Sequence, residues 1–205
     1  MSQWRSMGNS GYIADFLGGI QDICQKVDRN AISQMIDILF QAWKDEKQIF
    51  LMGNGGSAST ASHFACDLNK CTAFHGKKRM RVTSLVDNLP WISALTNDNG
   101  WENVYVEQLM NFFRPGDLLL GISVHGGKGR DQAGQWSQNL LKAMQYAKER
   151  EGTILGLAGF DGGAFQEICD VCVVVPYHTT PHVEAFHVTL HHLITFCLAE
   201  KIRLQ

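Results

Sequence analysis

Residues 51–67 read LMGNGGSASTASHFACD. The apolar strand end Leu51-Met52 runs into the glycine turn Gly53-Asn54-Gly55-Gly56-Ser57, and a helical stretch follows from about Ala58 to Asn69. Glycines permit positive φ and close backbone approach, and the free N–H groups at the start of a helix favour an anion. The turn matches neither the dinucleotide fingerprint nor a P-loop, because no Lys-Ser/Thr closes it, so a nucleotide is not expected. A tight strand-to-helix turn with no ligand explains the glycines about as well.

The pattern extends outward from this stretch. Before it, Ile13, Phe16, Leu17, Ile20, Cys24 and Val27, then Ile32, Met35, Ile36, Leu39, Phe40 and Trp43, recur at helical spacing and predict two helices or one bent one. Strand-sized apolar runs lie at Ile49–Met52, Val82–Val86, Leu118–Ile122, Thr153–Leu157 and Val171–Val175, separated by helix-like stretches or turns. Five buried strands alternating with helices predict an α/β fold with a parallel sheet covered on both faces. Gly53, Gly121 and Gly159 fall at or near strand exits, and open parallel sheets bind ligands beyond the carboxyl ends of their strands.

Bulk properties narrow the function. At 205 residues, 45% hydrophobic and 19% charged, the chain suits one soluble domain with no linker. A net charge of −2 and no basic run longer than KKRMR at 77–81 argue against a nucleic-acid partner. The apolar runs are far too short for a membrane span, and the first residues lack the apolar core of a signal peptide, so a cytoplasmic protein with no membrane partner is expected. Six scattered cysteines then read as buried free thiols, with Cys169 and Cys172 structural because they run into a strand.

Within the stretch at 51–67, His63 and Asp67 stand one helical turn apart on one face and could share a metal; Cys66 is a competing soft ligand. Solvated i, i+4 pairs are also common, so a second cluster has to support this reading. Five of the eight histidines lie between His178 and His192. Pro181 suits a first helical turn, which puts Glu184, His187, His191 and His192 within about 140° around one helix. Buried histidine and glutamate need partners, and a metal supplies one; His178, His182 and His191 taken singly read as hydrogen-bonded core residues. His63 and Asp67 with Glu184 and His192 give two imidazoles and two carboxylates, a donor set for Zn2+, with Fe2+, Ni2+ or Mn2+ as further candidates. At the third strand exit Ser123, His125 and Lys128 surround a glycine pair and could hold an anion, although a surface loop explains them too.

GNGGSASTASHFACDL, ALTNDNGWENVYVEQL, LLLGISVHGG, GFDGGAFQEICDVCVVVP and VEAFHVTLHHL together resemble the sugar isomerase (SIS) domain, in its sedoheptulose 7-phosphate isomerase (phosphoheptose isomerase) branch, over nearly the whole chain. The resemblance implies a flavodoxin-like three-layer fold with a five-stranded parallel sheet. A helical segment at 1–47 would pack on a single SIS unit at 48–205. It also implies a homotetramer and an aldose–ketose isomerisation of a phosphorylated seven-carbon sugar through an enediolate. By the same resemblance His63, Asp67, Glu184 and His192 would bind the metal; for the catalytic steps, Asp67 or Glu184 is expected to take the carbon-bound proton and His192 to handle the proton on oxygen. Asn54, Gly55, Gly56, Ser57, Asn97, Asp98, Ser123, Val124, His125 and Lys128 would contact the sugar phosphate.

The chain departs from the family's pattern at several points. The family's catalytic glutamate is Asp67 here, one methylene shorter, and its glutamine in the last helix is Glu184. Its serine-rich phosphate loop has become Ser123-Val124-His125-Gly126-Gly127-Lys128. About ten residues at 129–138 look inserted, and Cys71 aligns with a family arginine. Insertions at strand exits reshape pockets first, so a changed sugar is one expectation. A non-catalytic phosphosugar-binding or protein-binding SIS module is another; survival of both histidines and of two carboxylates favours the enzyme.

Overall fold

The computed structural model describes residues 4–127 and 137–205. Five strands form: β1 (Gln48–Gly53), β2 (Arg81–Ser84), β3 (Leu118–Ile122), β4 (Thr153–Gly159) and β5 (Val171–Val175). All pair in parallel in the order β2-β1-β3-β4-β5, with Ile49 beside Leu118, Leu118 beside Thr153 and Leu155 beside Val171. This is the strand order of a flavodoxin-like doubly wound sheet, whose switch point lies between β1 and β3.

Side chains alternate across a strand, so each apolar run serves two cores. Ile49, Leu51, Leu118, Leu120, Leu155, Leu157, Val173 and Val175 face one layer, made of α1 (Trp4–Lys26), α2 (Arg29–Lys44), α3 (Gly56–Cys71) and α8 (Thr180–Arg203). Phe50, Met52, Leu119, Ile154 and Ala158 face the other, where α5 (Val106–Phe112), α6 (Gln138–Lys148) and α7 (Phe165–Ile168) pack. The central strands β1, β3 and β4 are buried almost throughout, whereas edge strand β2 alternates in exposure. That contrast is why β2 carries Arg81 and Thr83, whereas the polar residues of β1 and β4, Gln48 and Thr153, are confined to the first position of each strand.

The N-terminal periodicity resolves into two helices. Asp28 separates them and caps α2, accepting from the amides of Asn30 (2.8 Å) and Ala31 (3.3 Å). Ile20, Ile23 and Val27 join the core, but Ile13 and Leu17 on the same helix are each 56% exposed. Among the described residues no helix is long and apolar enough to cross a membrane. All six cysteines are free, and Cys24, Cys66 and Cys197 are exposed, not buried as expected: each sits on the solvent side of a helix whose core face is filled by larger apolar groups.

Candidate active site

At the carboxyl end of β1 the backbone turns directly into α3. A Cβ on Gly53 would lie 2.5 Å from the Ser57 carbonyl, so only glycine permits this closeness. The Asn54 carbonyl accepts from the Ser57 amide at 3.0 Å and starts the helix. The Asn54 side chain is clamped by Asn139 of α6, each amide donating to the other at 3.0 and 2.8 Å. Beneath it the buried Tyr105 hydroxyl donates to the Gly53 carbonyl at 2.5 Å. Burial raises the pKa of that phenol, so it stays a neutral donor. Neither Asn139 nor Tyr105 was indicated by the sequence.

At the exit of β3, Ser123 Oγ accepts from the Gly127 amide at 3.1 Å and the Ser123 carbonyl from the Gly126 amide at 3.3 Å. Gly126 adopts φ +60°, and its carbonyl accepts from the Phe165 amide at 3.1 Å. Asn54, Ser57, Ser123, Val124, His125 and Glu184 are among the residues that line a common cleft of about 270 Å³. Gly56, His63 and Glu184 line an adjoining cleft of about 400 Å³. A larger hollow of about 550 Å³ lies at the opposite, amino-terminal ends of β1 and β2, where it holds Lys47, Arg81 and Arg114 beside Glu46 and Asp117. It contains no imidazole and lies away from the strand exits where such sheets bind ligands, so the two smaller clefts are the candidate site.

Between α3 and α8 four side chains converge. Asp67 Oδ2 lies 3.5 Å from His63 Nε2, 3.4 Å from His191 Nε2 and 3.2 Å from His192 Nδ1. One potential ligand atom from each of the four lies within 4.8 Å of all the others. His63 and His192 are 50% and 43% exposed and form the mouth; His191 is wholly buried and forms the floor. Neither ring nitrogen of His191 makes a hydrogen bond. A buried imidazole in that condition costs folding energy unless a ligand engages it. Burial, followed by the neighbouring His192 and His63, lowers the His191 pKa and keeps the ring neutral, the form that can donate a lone pair to a metal. Three nitrogens and a carboxylate around one point form a donor set compatible with a metal ion.

Of the single histidines on and before α8, one behaves as the sequence suggests. His182 hydrogen-bonds with Thr179 Oγ1 and, at 3.1 Å, with the Phe16 carbonyl, and is a satisfied core residue. His178 is exposed, because it precedes the helix and meets only the edge of Phe160. His191 belongs to the cage and has no hydrogen bond, because its turn of α8 faces His63 of α3. Cys66 is exposed and not part of the cage.

His187 lies one turn before His191, buried, with Nε2 donating to the Ala158 carbonyl at 3.1 Å. Burial pushes its pKa from 6.5 to about 4. The unfolded ring therefore binds a proton at higher pH than the folded one. This contribution to stability is complete above about pH 6.5 and is lost as pH falls towards 4, amounting to roughly 3 kcal/mol. Denaturant titrations at pH 7.5 and pH 5 should show the loss, and His187→Leu should flatten that part of the profile; an unchanged slope in the variant would contradict the assignment.

Residues 12–159 match the family model for the SIS domain. The phosphoheptose isomerase of Helicobacter pylori is 32% identical over 170 residues, 83% of this chain and 83% of that protein. The chain belongs to the SIS-domain phosphoheptose isomerase family. Another relative of this SIS-domain chain is lincomycin biosynthesis protein LmbN of Streptomyces lincolnensis, 41% identical over 174 residues, of which 83% of this chain is covered but only 62% of LmbN. The phosphoheptose isomerase structure from Neisseria gonorrhoeae superposes with a TM-score of 0.79 at 26% identity, covering 92% of this chain and 95% of that one.

Set against the residues that the family resemblance names, the SIS-domain chain brings His63, Asp67 and His192 together in the cage and gathers Asn54, Gly56, Ser57, Ser123, Val124, His125 and Glu184 around the adjoining clefts. Gly55, at φ +56°, caps α3 and lines neither cleft. Asn97 and Asp98, at the end of α4 (Leu89–Asp98), are exposed, hydrogen-bond each other at 2.6 Å and line neither cleft. Lys128 and most of the 129–138 segment lie outside the described residues. Glu184 is not a member of the four-residue cage; His191 is.

Proposed function

We propose that this sugar-phosphate isomerase is metal dependent and converts sedoheptulose 7-phosphate to D-glycero-D-manno-heptose 7-phosphate through an enediolate. The observation that carries the reading is the single carboxylate oxygen of Asp67 ringed by three imidazole nitrogens at 3.2 to 3.5 Å, opening beside the strand-exit clefts. The names of the relatives support the substrate class.

Moving a proton between adjacent carbons needs a base at carbon, an acid at oxygen and positive charge near both oxygens. A Zn2+ ion held by the cage would supply that charge by polarising the carbonyl. The chain supplies the rest. Asp67 and Glu184 are the carboxylates available to take the carbon-bound proton, and His192, at the mouth, moves the proton on oxygen. Ser123, His125 and the amides of the glycine turn provide the donors that the phosphate end requires.

Self-association as a homotetramer is part of the proposal. Ile13 and Leu17 on α1, and Val188, Leu193 and Phe196 on α8, are large exposed apolar groups of the kind subunit contacts cover. Helix α4 buries none of its residues within the protomer, which suits a segment packed against another copy. A cytoplasmic location agrees with six free thiols.

The test is turnover of sedoheptulose 7-phosphate by the purified chain before and after chelation. Activity should vanish with chelator and return with Zn2+. Turnover indifferent to chelation would remove the metal requirement, turnover of a different phosphoketose only would reassign the substrate, and binding without turnover would leave a phosphosugar-binding module.

A further inference from the structure

We propose that in this chain His191, not Glu184, occupies the fourth ligand position beside His63, Asp67 and His192, and that Glu184 stands outside the cage as the carboxylate that meets the sugar. The proposal rests on reading the cage as a metal site and assigns the roles within it.

Two observations, made two turns apart on the same side of α8, lead to it. His191 is wholly buried, its Nε2 is 3.4 Å from the Asp67 oxygen that His63 and His192 also approach, and its ring centroid is 4.4 Å from that of His63 and 4.0 Å from that of His192. Both its nitrogens lack hydrogen bonds, so nothing in the protein other than the cage gives this polar ring a partner. An ion bound at Nε2, the nitrogen that faces Asp67, would give that nitrogen a partner.

Glu184 points elsewhere. A Cβ placed on Gly56 would lie 2.5 Å from Glu184 Oε1 and 3.1 Å from Oε2, so the carboxylate rests against the first turn of α3. His63 is seven residues further along that helix and Asp67 eleven, which is roughly 10 and 16 Å of axial rise away from Gly56. The same carboxylate lines both the cleft shared with His63 and the one shared with Ser57, Ser123 and His125. It therefore occupies the junction between the cage and the anion-holding turn, where the carbon chain of a phosphosugar would run. Two features of the sequence make the exchange coherent. Asp67, shorter than glutamate, holds the ion close to α3, within reach of the buried floor. A carboxylate at 184 has less need to bind metal when a third imidazole is present.

The experiment uses the 205-residue protein loaded with Zn2+. Zinc-edge X-ray absorption should count three imidazoles and one carboxylate around the ion. Glu184→Ala, which leaves no donor atom at that position, should keep its zinc affinity within a few-fold and leave the visible spectrum of the cobalt-substituted protein unchanged, while turnover of sedoheptulose 7-phosphate falls. His191→Gln should weaken zinc binding on the order of 100-fold and change that spectrum. Two imidazoles around the ion, or zinc lost from Glu184→Ala, would overturn the exchange of roles while leaving the metal site itself in place. A wild-type protein that binds no zinc would overturn the metal reading and this proposal with it. The absorption measurement needs no variant, so it decides the matter even if His191→Gln fails to fold.

Discussion

Asp67→Asn should lower isomerase turnover by roughly 10³-fold while leaving the melting temperature close to that of the parent. The side chain is 13% exposed, and its Oδ2 is the one atom that approaches His63, His191 and His192 together. Asparagine has the same shape, so the packing of α3 on α8 survives. What disappears is the negative charge that balances an ion and one of the two carboxylates available as base. General acid–base groups contribute on the order of 10² to 10⁴ in rate, and loss of the ion removes carbonyl polarisation as well. His192→Ala should cost a similar factor, because its Nδ1 is 3.2 Å from the same oxygen and its 43% exposure places it where substrate arrives. Steady-state kinetics with sedoheptulose 7-phosphate, alongside thermal unfolding, measures both. Turnover within a few-fold of the parent in either variant would remove that residue from the chemistry.

Gly126→Ala should destabilise the protein by roughly 3 to 5 kcal/mol. Two separate costs combine. The φ of +60° disfavours any L side chain by about 1 kcal/mol, and the new Cβ would collide with the Gly162 carbonyl oxygen. That neighbour is backbone and cannot swing aside as a long side chain would. Either the β3 exit or the segment after β4 must move, and with it the Phe165-to-Gly126 hydrogen bond and the Ser123-to-Gly127 contact that shape the anion-holding turn. Equilibrium denaturation gives the energy, and the KM for the phosphosugar gives the consequence for the turn. A loss below about 1 kcal/mol would mean that the two loops are not pressed together as described.

The sheet was legible because burial on two faces requires continuous apolar runs, and Leu118–Ile122 and Val171–Val175 emerge with the bounds their hydrophobicity suggests. Helix α3 starts at Gly56, two residues before the expected Ala58, because Gly55 and Gly56 can enter the first turn on backbone geometry that patterning does not register. Half of the cage was legible for a similar reason: an i, i+4 spacing fixes His63 against Asp67 whatever the rest of the chain does.

The far half was harder. Helical spacing confines Glu184, His187, His191 and His192 to one broad arc of α8, but that arc faces three different neighbours. His187 meets the end of β4, His191 and His192 meet α3, and Glu184 reaches the turn at Gly56. Only the packing of α8 against both elements separates these destinations. Asn139 and Tyr105 carry no sequence signal at all, since a lone asparagine or tyrosine becomes a positioning group solely through what tertiary structure places opposite it.

The most direct measurement is anomalous X-ray scattering from a crystal of the zinc-loaded, active protein. The prediction is an ion between α3 and α8, bonded to His63 Nε2, Asp67 and His192 Nδ1 at about 2.0 to 2.2 Å. Full isomerase activity in a crystal form where no ion lies between those helices, or where zinc is bound only elsewhere, would contradict the account.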